Sequence, residues 1–307
     1  MRLAVVAGVA NHRSLAWSSA LSLIQRGGFD NVVLTCEKRF LRNVENIVEK
    51  KNEEYLTKSQ FDFDGNNTTP PPILSCLPCD LTSEMEVEHL FGEGIPSILN
   101  QASSGRVLVP RIDAVIHSVA KAPSLAMKPD AESDPRSASF PLLYTTADDF
   151  NSAHDASSRS LITLVKHALP FMSLVDDNID DVTRFPSVVA LTYLGSSQVV
   201  PGYNVMGPAK ASLEATVRGL ALEIGPPPHC VRVNAVSAGP INTLSARGIH
   251  NFHKMKDEST ERSLLRKDTT ADEVADVVAF LADTKGGSRG ITGQVIFCDG
   301  GRSSFGG

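Results

Sequence analysis

Tyr203 and Lys210 stand seven residues apart in the run LTYLGSSQVVPGYNVMGPAKASLEA, and those residue types at that spacing suit proton chemistry at an oxygen. Seven positions make almost two turns of an α-helix, so a helix through this run would carry both side chains on one face. A phenol beside an ammonium is an acid next to a charge that favours its ionised form, which lowers its pKa from a reference of about 10. Such a pair can give a proton to a carbonyl or enol oxygen, or take one from it. A second phenol, Tyr193, stands ten residues before Tyr203. Tyr-x6-Lys alone is a loose pattern, because a lone helical tyrosine is more often core or surface. The surroundings decide.

Those surroundings are strands and helices in alternation. Short β-rich apolar runs alternate with longer amphipathic stretches, which points to βαβ units and a parallel sheet. Strands are expected at Leu3–Val9, Val32–Thr35, Ile73–Cys79, Ala114–Val119, Ser187–Leu194, Val231–Ser237 and Gln294–Cys298. Most are apolar on consecutive residues, as strands covered on both faces are. Helices are expected at Leu15–Arg26, stopped by Gly27-Gly28, and at Glu84–Leu99, opened by a Ser83/Glu86 capping box. Others span Ala147–Met172, Val205–Ile224 and Ala271–Asp283, the last opened by a Thr270/Glu273 box. Pro208 is harmless only in a first turn, which starts its helix near Val205. Right-handed crossovers then give one α/β domain over residues 1–307, a doubly wound parallel sheet of about seven strands with helices on both faces. The polar or proline-broken segments 58–72, 128–146 and 175–184 read as surface insertions.

Composition narrows the function. A formal net charge of −6 argues against a nucleic-acid partner. No apolar run approaches the roughly 18–20 residues of a bilayer span. The chain goes straight into a strand with no basic leader, so it is expected to be soluble and cytoplasmic, or in the plastid stroma if a transit peptide is missing. Five cysteines form no disulfide ladder and suit a reducing compartment. Cys76-x2-Cys79 has no second pair and reads as the end of a strand, so no metal site is expected.

The first strand runs into GVANHRSLA, a turn through a glycine into a helix N-terminus, where free N–H groups and the dipole attract a pyrophosphate. Only Gly8 matches a glycine-rich fingerprint, and Ser14 offers a hydroxyl where further glycines would offer backbone. Glu37 follows the second strand, where an acidic side chain accepts from the adenosine ribose and favours NADH. Lys38 and Arg39 beside it would instead suit the 2′-phosphate of NADPH.

The segment YNVMG-x-AKASLEA, the pair Tyr193 and Tyr203, and the spacing Gly8-x5-Ser14-Leu15-Ala16 resemble the short-chain dehydrogenase/reductase superfamily of Rossmann-type proteins. Within it they are similar to the enoyl-acyl-carrier-protein reductases of type II fatty-acid biosynthesis. Ketone-reducing relatives place a serine about a dozen residues before the tyrosine; Ala190 and Leu191 stand here. The resemblance implies an NADH-dependent reduction of trans-2-enoyl thioesters, with Lys210 on the nicotinamide ribose and Tyr203 on the thioester carbonyl. It implies an acyl pocket of Ala122, Tyr193 and Met206. Gly8, Ser14 and Leu15 would meet the pyrophosphate, Asp80 and Leu81 the adenine, Val119 the nicotinamide ribose, and Ile241 and Thr243 the carboxamide. It implies a homotetramer fed by an acyl carrier protein, with Ala246–Lys256 a flexible loop closing over substrate. Arg247, His250, His253, Lys254 and Lys256 make that loop either a solvated, mixed-charge surface or a docking face for the acidic carrier. His154-Asp155 reads as packing beneath the site. Ala120 and Lys121 depart from the family, which has glycine and an aromatic there.

Two other readings stay open. A ketoreductase of the same fold needs a carbonyl-binding hydroxyl, for which Thr192 is the nearby candidate. A non-catalytic NAD-binding sensor would bind the dinucleotide without turnover, though it has no need of paired phenols.

Overall fold

The structure, a computed structural model, describes residues 2–61, 70–102, 111–127, 132, 134–172, 185–244, 246 and 252–305. Seven strands form one sheet: β1 (Leu3–Ala7), β2 (Asn31–Cys36), β3 (Ile73–Pro78), β4 (Ile112–His117), β5 (Ser187–Tyr193), β6 (Arg232–Ala238) and β7 (Val295–Cys298). Their order is β3-β2-β1-β4-β5-β6-β7, and every pairing is parallel. All seven expected strands are present, with bounds moved by up to two residues.

Helices cover both faces, and alternate side chains of each strand supply both cores. Leu3, Val5 and Ala7 of β1 pack against α3 (Glu84–His89), α4 (Ile95–Ala102), α8 (Ser160–Met172) and α9 (Met206–Ile224). Ala4 and Val6 face α1 (Leu15–Gln25), α2 (Leu41–Phe61) and α11 (Ala271–Ala282). Burial on both sides explains why the strands read as unbroken apolar runs.

Several elements differ from the sequence reading. The Glu84–Leu99 helix is interrupted by a π-turn at Leu90–Gly94, and Ala147–Met172 by another at Asp155–Arg159, which separates α7 (Ala147–His154) from α8. Of the two capping boxes, Thr270/Glu273 is complete. At Ser83 only half forms, because the Glu86 carboxylate accepts from the Asp80 N–H. The sequence reading had no helix at Leu41–Phe61, where the polar face dominates, and it began an insertion at 58 where that helix still runs. Two short helices, α5 (Ser124–Met127) and α6 (Pro135–Ser139), precede α7; α6 falls in the second insertion and is capped by Asp134. The third, 175–184, lies outside the described residues. Among the described residues, no helix is long and apolar enough to cross a membrane.

Candidate active site

A sheet wound in opposite directions from a central strand leaves a crevice beyond the carboxyl ends where the order reverses. Here the reversal falls between β1 and β4. A cleft of about 650 Å³ opens there, lined by the loops that follow β1 to β6. Every site residue expected from the sequence lines it: Gly8, Ser14, Leu15, Glu37, Asp80, Leu81, Val119, Ala122, Tyr193, Tyr203, Met206, Lys210, Ile241 and Thr243.

At the switch point, β1 and β4 converge closely. Gly8 has φ of +100°, and a Cβ there would stand 2.3 Å from the Ser118 carbonyl oxygen, so only glycine is accommodated. The chain then enters α1, whose first N–H groups have no partners inside the helix. Ser14 sits at its N-cap, but its hydroxyl donates to the Asn11 carbonyl at 2.6 Å, so it must rotate before it can donate to a phosphate. Asp80, beyond β3, accepts from the Thr82 N–H and hydroxyl at 2.9 and 2.7 Å. Burial pushes its carboxyl up, but these bonds and the Lys121 charge win and hold it below the ordinary range. Asp80 does not cap α3; Ser83 does.

Across the sheet, Tyr193 ends β5 and Tyr203 lies in the turn before α9. Tyr203 therefore does not share a helical face with Lys210: the helix starts at Met206, with Pro208 inside its first turn. The two phenol rings meet edge to face, 4.8 Å between centroids at 61°. The Tyr203 ring packs against Gly195, where an added Cβ would come within 2.3 Å of it. Asn204, at φ 41°, turns the chain into the helix and donates to the Ala126 and Met127 carbonyls.

Lys210 is 4% exposed and donates to the carbonyls of Leu191 at 2.8 Å and Val119 at 3.3 Å. An ammonium has three donors, so one remains for a ligand hydroxyl. Burial drives its pKa down to about 8, against an opposing pull from Glu214. The expectation that Lys210 would depress Tyr203 is corrected. Burial first, then the neighbouring Tyr193 and Glu214, hold the Tyr203 phenol well above its ordinary value. Tyr193 is pushed up to about 12, chiefly by burial. Both phenols are O–H donors at neutral pH. His117, fully buried at the end of β4, is driven by burial and the Lys210 charge down to about 3, and its Nε2 meets the Ser160 hydroxyl at 2.8 Å.

Some features escaped the sequence. The expected flexible loop Ala246–Lys256 contains the start of a helix, α10 (Phe252–Glu261), whose Phe252 and Met255 line the cleft. The Tyr193 hydroxyl contacts Met255 Sδ at 3.6 Å. Phe252, Met255 and Ser259 at helical spacing were the available signal. Lys254 pairs with Glu258 at 3.8 Å and Lys256 with Asp268. Arg247 and His250 lie outside the described residues. His154 is half-buried and stacks on Phe150, while the buried residues around it are Ala153, which packs in the Tyr203 cluster, Ala156, Ser157 and Ser158. Cys76 and Cys79 end β3 as expected, with Cys76 Sγ 3.7 Å from Cys36 Sγ.

The donor set fits an adenine dinucleotide laid over the switch point. The N-terminus of α1 lies at the centre of the cleft, the Glu37 carboxylate lies beyond β2, and Lys210 lines the opposite half. Comparison with known proteins agrees. Residues 8–303 match the profile of the family described as Enoyl-(Acyl carrier protein) reductase. The chain is 38% identical over 297 residues to the enoyl-acyl-carrier-protein reductase (NADH) FabI of Bacillus subtilis, covering 97% of this chain and 94% of that protein. The Aquifex aeolicus enoyl-acyl-carrier-protein reductase (NADH) superposes with a TM-score of 0.75 at 29% identity, covering 100% and 98% of the two chains. The Bacillus cereus enoyl-acyl carrier protein reductase, crystallised with NADP+ and an indole naphthyridinone, gives 0.74 at 33% identity over 99% and 97%. A likeness that extends from the first glycine turn to the end of the sheet leaves one assignment: the chain belongs to the enoyl-(acyl carrier protein) reductase family.

Proposed function

We propose that this cleft reduces trans-2-enoyl thioesters, carried by an acyl carrier protein, to saturated acyl thioesters at the expense of NADH. The observation that carries this reading is the buried Tyr203 packed edge to face on the half-buried Tyr193, both protonated, in the cleft that the buried Lys210 also lines. Bound NADH supplies a hydride, delivered to the β-carbon of the enoyl chain. Negative charge then gathers on the thioester oxygen. Tyr203 keeps its proton because of burial, so it donates a hydrogen bond to that oxygen and stabilises the enolate, and a proton taken up from solvent at the α-carbon then completes the saturated thioester. Lys210, anchored on Leu191 and Val119, turns its free N–H to a ribose hydroxyl and fixes the nicotinamide half. Tyr193, Ala122, Met206 and Met255 surround the acyl chain with apolar surface.

The ketoreductase reading is disfavoured by Thr192, whose hydroxyl donates to Glu214 at 2.7 Å and is therefore engaged away from any substrate carbonyl. As partners we propose the acyl carrier protein, docking beside α10, and three further copies of this chain. Exposed Phe150, Ile162 and Leu222 on α7, α8 and α9 suit a contact between copies, and light scattering at the mass of one chain would dismiss the tetramer.

The deciding experiment follows NADH oxidation with crotonyl and acetoacetyl thioesters, each on carrier protein and on coenzyme A. Turnover is expected on the crotonyl substrates only, and Tyr203→Phe should lose about 100-fold or more in kcat, the usual scale for one oxyanion donor. Turnover on acetoacetyl thioesters alone would reverse the assignment. Lys254→Glu with Lys256→Glu should raise KM for the carrier-linked substrate and not for the coenzyme A thioester; equal effects would remove the docking role.

A further inference from the structure

Two buried hydroxyls beside one distorted helix turn hold both ends of the loop that anchors Lys210. The π-turn Asp155–Arg159 joins α7 to α8 and carries one residue more than an α-turn, a distortion frequent at functional sites. Ser157 lies inside it, fully buried. Its Oγ accepts from the Lys121 N–H at 3.2 Å and donates to the Lys121 carbonyl at 3.3 Å, with Met206 Sδ 3.9 Å away. Ser160, also fully buried, places its hydrogen on the Ala156 carbonyl at 2.7 Å and accepts from His117 Nε2 at 2.8 Å. Ser158, between them, turns instead to the hydroxyls of Ser212 and Thr216 on α9, at 3.0 and 3.4 Å. Residues 117–121 are therefore held at each end by a serine, and in the middle the Val119 carbonyl accepts from Lys210 at 3.3 Å.

Ser157 stands behind the lining of the cleft, to which Ala156, Val119, Lys121 and Met206 belong. We propose that Ser157 is a positioning residue for the reduction: by gripping both backbone groups of Lys121 it keeps the Val119 carbonyl against Lys210, and so aims the ammonium's remaining N–H at the nicotinamide ribose. Without that hydroxyl, the N–H and C=O of Lys121 both lose a partner, and polar groups left unsatisfied favour rearrangement of the loop. Val119, two residues away, moves with it. The inference rests on the role proposed above for Lys210 and adds the support behind it. The titratable groups around Lys210 are Glu214 on its own helix, His117 at the end of β4, and the phenols Tyr193 and Tyr203. Removing the Ser157 hydroxyl deletes none of them, so a change in the titration of Lys210 reports the carbonyl.

The test follows kcat/KM of the full chain for NADH and a crotonyl thioester from about pH 6 to 10, in the wild type, Ser157→Ala and Ser158→Ala. Ser157→Ala should lower kcat/KM about tenfold, since a misplacement of about 1 Å can cost about 100-fold. It should also move the alkaline limb to lower pH, because an ammonium that loses an acceptor gives up its proton more readily. Ser158→Ala removes a hydroxyl from the same turn, also buried, and should keep both the rate and the limb of the wild type. If the alanine does not fold, Ser157→Cys, close in shape but a weak hydrogen-bond partner, is read the same way. The inference is overturned if the Ser157 variant behaves as Ser158→Ala does, or if its rate falls while the limb stays in place. A wild type that leaves the crotonyl thioester unreduced, or whose kcat/KM stays flat to pH 10, would overturn the role given to Lys210 and this inference with it.

Discussion

Lys210 sits at the ends of β4 and β5 with two backbone carbonyls for partners, and burial lowers its pKa to about 8 from 10.5. In the unfolded chain the same amine keeps its proton to about 10.4. Between these values the unfolded state binds more protons, so this group makes stability rise with pH from about 8 toward 10. Below about 8 both states are charged and the burial cost is fully present. Activity runs the other way, because the neutral amine loses the charge that draws the ribose and the developing oxyanion. The rate constant kcat/KM is expected to fall above an apparent pKa of about 8. Denaturant unfolding at pH 8 and pH 10 should show a larger gain in the wild type than in Lys210→Met. A flat kcat/KM up to pH 10, or equal gains in both proteins, would mean that Lys210 is not held as described.

At the scale of elements, the site depends on the short passage from β5 into α9. The Tyr203 ring is packed on Gly195, whose missing side chain makes the space. Gly195→Ala would put a methyl within 2.3 Å of the ring, too close for either to stay, and the ring is the freer of the two. A misplacement of about 1 Å can reduce rate about 100-fold, so Gly195→Ala is expected to lower kcat at least tenfold with little change in NADH affinity. Stopped-flow turnover beside NADH fluorescence titration reads both, and an unaltered kcat would free Tyr203 from this contact. Gly195 was not legible in the sequence, because its role comes from a ring eight residues away rather than from a turn of its own. The strands were legible because burial on both faces leaves unbroken apolar runs, as at Val188–Leu191. Helix α2 was missed for the opposite reason. Its LRNVENIVEKKNEEYL pattern buries few residues, Val44 and Val48 among them, and the remainder is charged. The spacing of Tyr203 and Lys210 pointed to the right pair by a wrong geometry, since a turn rather than a helix carries the tyrosine. The sign of the tyrosine shift was hidden as well, because burial depends on neighbours such as Val205 and Met206 closing round the ring.

Over the whole molecule, the cleft draws on the ends of six strands while each strand alone contributes only a few of its lining residues. The glycine turn belongs to β1, Glu37 to β2, Asp80 to β3, Val119 to β4, Tyr193 to β5 and Ile241 to β6. A dinucleotide spanning them ties both halves of the sheet, and it can bind only when all six ends are in register. Such a ligand stabilises the folded chain by mass action, by about 2.7 kcal/mol at one hundred times its Kd. For a chain of this size that amounts to a rise in Tm of roughly 5 °C. AMP, which reaches only the ends of β1 to β3, should give less at the same absolute concentration because it binds more weakly. The Tyr203→Phe variant should keep the full NADH shift, since its hydroxyl serves the substrate oxygen and its ring still fills the space beside Gly195. Differential scanning calorimetry with NADH, AMP and enoyl thioester decides it. Equal shifts for NADH and AMP at matched concentration would confine the dinucleotide to the β1–β3 side. The nicotinamide would then not reach Lys210, and the chemistry proposed for the other half of the sheet would lose its hydride.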